Sequence, residues 1–468
     1  MLSRIPLVVT LVTLACTALP AWALDVKLTG YDRTRFYLFD SLSLTDESVT
    51  VQEEGASSGT ELPPEGVRAY FDQRLRLNPH LEVNPHVHVF GQLDLLDLQL
   101  FGTDGEVYAG FWDDLDEGGF ADSAQLTDSV QMGDDYRGNA VVRRAWGEVW
   151  TPYLDFRFGR MGSHWGMGIM ANDGNGDNAE FGDTVDRLQV LARIGPVQLS
   201  LAFDTHLEGW INEQDDVFGL TLAGGFLSEV HSAGLYVHWR RMPSTNWNAM
   251  FADLWGRTRL GPLRFELEAA FQYGKGDLAL GDIVLEDQEV LAGGGALRAG
   301  IEVLPIGGEV EVGLATGDKD TSDDTWRTFT FDRDHDIALL MFEETMPTFR
   351  PSSAIADTPV YGEDTSQAVT GNALANAFYI KPGVYFDPLD NLRLRLDFVA
   401  ARTLVDPLQD ELAAEDMHLA MELDLGARWL LYENFELGAR VGVMFPGPRF
   451  EPTTDPVFGT EFRAMIRF

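Results

Sequence analysis

Residues 460–468 read TEFRAMIRF. Successive side chains of a strand point to opposite faces, so Phe462, Ala464, Ile466 and Phe468 share one face and Glu461, Arg463, Met465 and Arg467 the other. The first face is wholly apolar, and the second carries three charges. A soluble sheet hides its apolar face beneath another layer, whereas a transmembrane barrel turns that face to lipid and keeps the charges in a wet lumen. An edge strand of a soluble sheet also fits this stretch, so the decision falls to the rest of the chain.

The alternation recurs throughout. Val67, Ala69, Phe71, Leu75 and Leu77 stand opposite Arg68, Tyr70, Asp72, Arg74 and Arg76. Arg264, Glu266 and Glu268 fill one face behind Leu263, Phe265 and Leu267; Glu422, Asp424 and Arg428 fill one behind Leu419, Met421, Leu423, Leu425 and Trp429. A β-sandwich keeps its buried face free of such charge; lipid outside and water inside accounts for both faces. Tight connections bearing Pro or Gly, among them Asn84-Pro85, Thr151-Pro152-Tyr153, Gly195-Pro196, Gly261-Pro262 and Asp387-Pro388-Leu389, alternate with polar stretches at 40–65, 100–138, 170–183 and 317–371. The pattern predicts an all-β fold, a transmembrane antiparallel up-and-down β-barrel of about 18 strands, with short periplasmic turns on the side of the termini and long acidic extracellular loops. It forms a single domain over residues 24–468. Trp150, Tyr153, Trp239, Tyr385, Phe386, Tyr432 and Phe445, near strand ends, suit interfacial girdles.

The amino terminus has Arg4, an apolar run over 5–19 and then Pro20-Ala21-Trp22-Ala23, the parts of a secretory signal peptide spanning 1–23. The only cysteine, Cys16, leaves with it, so neither a disulfide framework nor a thiolate site is expected. The 34 basic residues face 74 acidic ones, a balance that excludes nucleic acid as a partner. Beyond the signal, no apolar run approaches the ~20 residues of a membrane helix.

Four of the 34 basic residues are lysine; the rest are arginine. Arg68, Arg74, Arg76, Arg187, Arg193, Arg257 and Arg259 fall at lumenal parity, as do Arg264, Arg298, Arg393, Arg395, Arg428, Arg440 and Arg463. Acids crowd the loops instead, as at Asp113, Asp114, Asp116 and Glu117. Guanidinium groups hold carboxylates in two-pronged geometry, so a ladder of them passes an anion from site to site. Alternatively the arginines pair with Glu266, Glu268, Glu302, Asp397, Glu422 and Asp424 as a mixed-charge wall.

In the loop that follows, Asp173, Asn175 and Asp177 match the first alternating ligands of a calcium loop, although Asn178 replaces its turn glycine and Thr184 its closing acid. The loop reads first as a plain turn-rich stretch of Gly, Asn and Asp with no cofactor, and calcium is the one cofactor it offers as an alternative. An enzyme is not expected: there is no Gly-x-Ser-x-Gly elbow and no His-Glu-x-x-His run, and Ser163 and His164, read as strand neighbours, point to opposite faces.

Phe468, closing an alternating strand, resembles the C-terminal signal read by the assembly machinery of bacterial outer membranes. The strand count, the arginines and Asp155-Phe156-Arg157-Phe158-Gly159-Arg160 before a Gly- and Asp-rich loop resemble the alginate-export and porin-type barrels of Gram-negative bacteria. That resemblance implies a barrel in outer-membrane lipid with an arginine-lined pore. In the family such a pore passes an anionic polysaccharide; no substrate-contacting residue is matched here, so the expected solute is polar or anionic. The alternative is a structural or adhesive barrel, plugged by residues 100–138 or 317–371 and acting through its extracellular loops.

Overall fold

The computed structural model describes residues 25–40, 50–51, 60–61, 67–100, 140–207, 217–280, 283–319, 323–343, 373–405, 417–447 and 455–468. The expected signal segment, the acidic stretch 101–139 and residues 344–372 lie outside them.

Eighteen strands close one antiparallel barrel. They are β1 Asp25–Asp40, β2 Arg68–Asn84, β3 Val87–Leu100, β4 Ala140–Trp150, β5 Leu154–Gly162, β6 Thr184–Ile194, β7 Val197–Leu207, β8 Val217–Leu227 and β9 His231–Met242. Then come β10 Trp247–Leu260, β11 Leu263–Leu280, β12 Ile283–Val303, β13 Ile306–Ala315, β14 Ala377–Leu389, β15 Leu392–Thr403, β16 His418–Tyr432, β17 Phe435–Pro446 and β18 Val457–Arg467. Each strand pairs with its sequence neighbours, and β1 also pairs with β18, which leaves no free edge. At the seam Phe36 lies opposite both Phe462 and Phe71. Gly30 and Phe468 exchange both backbone hydrogen bonds, at 2.9 and 3.1 Å.

The apolar faces point outward, as the alternation requires. Phe462 and Ile466 of β18, Leu423 and Leu425 of β16 and Leu199, Leu201 and Phe203 of β7 are exposed on the outer surface. Met465 and Glu461, on the other face of β18, are buried inside. Leu419 departs from its expected outward place and is fully buried, because the β15–β16 register shifts between Ala401 and Arg402. Trp150 and Tyr385 also depart from the girdle: Trp150 stacks on His88 at 3.7 Å and bonds Glu148, and Tyr385 lies under Arg393 at 4.2 Å. Tyr153, Trp239, Phe386, Tyr432 and Phe445 remain exposed, as a girdle requires.

Two loops turn inward, residues 163–183 between β5 and β6 and, after β13, the described residues 316–319 and 323–343. Strand β5 ends at Gly162, so Ser163 and His164 belong to the first of these loops rather than to a strand. The second carries Phe329, Phe331 and Ile337 to Phe342 into an apolar cluster with Tyr37, Phe39, Tyr379, Val399, Met444 and Val457 of the wall. A barrel this wide cannot fill its interior with wall side chains alone; here loop side chains occupy part of it.

Candidate functional site: the arginine wall and its two inner loops

Inward parity on the strands from β16 round to β4 assembles an arginine-rich, mixed-charge wall. In it Arg35 pairs with Asp72, Arg76 with Asp94 at 2.7 Å, and Arg463 and Arg467 with Glu436 at 2.9 and 3.1 Å. Arg428 of β16, Arg463 and Arg467 of β18, Arg33 and Arg35 of β1, Arg74 and Arg76 of β2 and Arg144 of β4 all face the loop 163–183. That loop presents its carbonyl oxygens to them. Arg33 Nη1 donates to the carbonyls of Asp177 and Ala179 at 2.9 and 3.2 Å. Arg74 donates to Ala179 and Glu180 at 3.0 and 2.9 Å, and Arg76 to Gly174 at 3.1 Å. Arg144 reaches the carbonyl of Asp173, and Arg463 the side-chain oxygen of Asn178. Arg33, Arg35, Arg144 and Arg467 were not among the expected site residues, although alternation from Phe36 would have placed Arg33 and Arg35 inward. Arg33 is fully buried, and its Nε and Nη2 meet no acceptor among the described residues.

The remaining expected arginines divide by height. Arg187 forms a two-pronged pair with Asp204 at 2.6 and 2.9 Å. Arg395 bonds Asp397 at 2.5 Å and Glu309 at 2.7 Å. Arg440 bonds Glu461 at 2.7 Å and reaches Asp336 at 3.3 Å. Nearer the short turns the side chains open to water. Arg193 pairs with Asp155, Arg393 with Asp387 at 2.8 Å, and Arg428 with Glu436 at 2.7 Å, yet all three are exposed. Arg259 and Arg264 stand only 3.7 and 3.9 Å from Glu302 and Glu309, and Arg257 lies 5.5 Å from the Trp255 ring centre. Arg68 is exposed at the loop end of β2.

Carboxylates clamp the loops from the opposite side. Glu268 of β11 accepts the successive N–H groups of Met167, Gly168 and Ile169. Gly166 and Gly168 have φ of +58° and +80°, and a Cβ on Gly166 would strike the Glu268 carboxylate. Glu422 of β16 repeats the arrangement on the second loop, accepting Leu339, Leu340 and Met341 at 3.0, 2.8 and 2.7 Å. The loops also hold each other. Asp334 accepts the N–H groups of Glu180 and Phe181 at 2.8 and 3.2 Å, and Asn178 donates to Asp336 at 2.8 Å. Where they meet, burial and then the neighbouring Asp183 push the Asp332 carboxyl up to about 8, and burial likewise raises Asp183.

Of the three calcium candidates, Asp173 and Asn175 bond each other at 2.6 Å and Asn175 also accepts from Gln92 at 3.2 Å. Asp177 turns to Arg467 at 2.8 Å and Arg428 at 3.6 Å. Burial opposes the Asp177 charge, but these arginines outweigh it and hold its carboxyl below the usual range. A calcium ion at this loop would have to displace Arg467.

An even-stranded closed barrel with an apolar exterior and a charged, loop-narrowed interior has the architecture of a porin-type membrane barrel. Its particular likeness is to solved porins of Pseudomonas. Over 95% of this chain and 98% of each of theirs it matches OccK8 (OprE) of Pseudomonas aeruginosa, with TM-score 0.51 and 9% identity, and a BenF-like porin from Pseudomonas fluorescens, with 0.50 and 12%. OpdK of Pseudomonas aeruginosa, solved with vanillate, matches over the same shares at TM-score 0.51 and 9% identity. At these identities the likeness is one of fold. No family model and no curated protein matches the sequence.

Proposed function

We propose that the protein is an outer-membrane channel, exported by its signal segment, that passes small polar solutes and favours anions. The observation carrying this reading is the distribution of guanidinium groups along the wall. While the buried Arg33, Arg74 and Arg76 hold the inner loop that narrows the lumen, Arg193, Arg257, Arg259, Arg264, Arg393 and Arg428 open to water toward the short turns. A carboxylate can pass between such groups without meeting one deep trap. Vanillate, present with the similarly folded OpdK, is a carboxylate on an aromatic ring, so aromatic carboxylates are the first solutes to test. The barrel sits in outer-membrane lipid, and Phe468 closes the strand that the assembly machinery reads.

Single-channel recording in a planar bilayer under a salt gradient tests the reading. Open steps with an anion-selective reversal potential are expected, and Arg264→Ser with Arg393→Ser should move that potential toward the cation side. The apolar cluster formed by residues 329–342 favours a second reading, a plugged barrel acting through its outer loops. Inserted but silent protein would overturn the channel and leave the plug.

A further inference from the structure

We propose that His206 and His238 form a binding site for a divalent first-row transition metal, Cu(II), Ni(II) or Zn(II), on the lumen wall near the loop ends of the strands. The histidines lie on β7 and β9, with β8 between them. Their Nε2 atoms face each other at 3.0 Å, and together with Asp204 they make a cluster of three potential ligand groups. The rings meet because the intervening inward position on β8 is Gly219: a Cβ there would collide with the His238 ring and crowd His206 Nε2.

Hydrogen bonding decides which nitrogens are available. Arg187 donates twice to Asp204. The Thr221 hydroxyl donates to Asp204 Oδ2 at 2.7 Å, which leaves its oxygen to accept from His238 Nδ1 at 2.8 Å. His238 therefore carries its proton on Nδ1 and presents a lone pair on Nε2, the tautomer a metal ligand needs. His206 donates its Nε2 proton to that lone pair in the metal-free protein. Binding a cation moves the His206 proton from Nε2 to Nδ1 by exchange through water, so that the ring stays neutral and its Nε2 lone pair becomes the second ligand, with no oxidation or reduction involved.

The spacing suits the chemistry. With metal–nitrogen bonds of about 2.0–2.1 Å, two imidazole nitrogens lie about 2.9 Å apart at a right angle and about 3.3 Å apart at a tetrahedral angle. Imidazole favours the later first-row metals. The Thr221–Asp204–Arg187 chain is the outer shell that holds His238 in orientation. His206 is exposed, so water or an anion completes the coordination. Arg187 and Arg240 add positive charge beside the rings, which favours an anion as that further ligand. The proposal does not depend on whether the barrel conducts.

The test is Cu(II) titration of tag-free, refolded, full-length protein, followed by electron paramagnetic resonance with detection of imidazole nitrogen couplings, and calorimetry with Ni(II) and Zn(II). One bound Cu(II) per chain with two coupled imidazoles is expected. His206→Ala and His238→Gln should each abolish that signature, Thr221→Val should weaken binding about 10–100-fold, and the distant pair change His80→Ala with His88→Ala should leave it intact. Heat-modifiable gel mobility reports whether each variant is folded. Absence of stoichiometric binding, or binding that survives in a folded His206→Ala/His238→Gln protein, overturns the proposal.

Discussion

The same side chain serves different ends according to where alternation and register leave it. Arg74 is buried and spends its donors on loop carbonyls, whereas Arg393, also at inward parity, is exposed, pairing with Asp387 and lying over the Tyr385 ring. A neutral solute-facing substitution should therefore separate the two: Arg393→Ser alters ion selectivity with little change in stability, and Arg74→Ser loosens the loop. Glu268 is the sharper case. Glu268→Ala leaves three N–H groups without their acceptor, two of them buried, and each buried loss costs about 1–3 kcal/mol. A lower melting temperature and noisier channel current are expected, and an unchanged thermal transition would show that the clamp carries no weight. Calcium is tested at the same scale: if the loop holds it, chelation lowers the melting temperature and Asp173→Ala with Asp177→Ala removes that response. No shift on chelation leaves Asp177 as the partner of Arg467 alone.

Among the elements, strands and inner loops answer to different solvents. A strand such as β16 shows Leu423 and Leu425 to lipid and Glu422 and Asp424 to the interior. Leu423→Arg should cost about 2–4 kcal/mol near mid-membrane, measured by urea unfolding in detergent or lipid against a Leu423→Ala control. The inner loops depend instead on pH. Asp183, Asp332 and Asp334 meet with Arg240 within reach, and Asp332 titrates near 8 rather than near its ordinary value. An acid whose folded pKa is raised binds its proton more tightly when folded, so its contribution is full below the unfolded value of about 4 and is lost as pH rises toward 8. Loop fluctuations, read as current noise or as amide exchange, should increase as pH rises from about 4 to the Asp332 value of about 8 and level off above it. Asp332→Asn should flatten that dependence, and a persisting rise in the variant would assign it elsewhere.

For the whole molecule, closure is the defining property. Every strand has two partners and the seam joins β1 to β18, so unfolding must break an interstrand ladder with no edge from which to peel. The folded protein should migrate faster than its boiled form on gels and fractionate with membranes; recovery as a soluble periplasmic protein would refute the fold.

Alternation alone determined which face of each strand meets lipid, how many strands there are and that arginine lines the interior, because side-chain direction in a strand depends only on sequence parity. The tight turns followed from Pro and Gly at their places. What parity cannot encode is the path of a loop. Nothing local in residues 163–183 or 323–343 distinguishes an inward course from an outward one; that course was decided by Glu268, Glu422 and the arginines of β1, β2 and β18, which lie far away in sequence. Register shifts likewise moved Leu419 inward, and strand ends placed Trp150 and Tyr385 in the lumen rather than at the lipid boundary. The His206–His238 pair belongs to the same class: two histidines on alternate strands meet only because the register sets Gly219 between them, a three-strand relation that arises when the sheet forms.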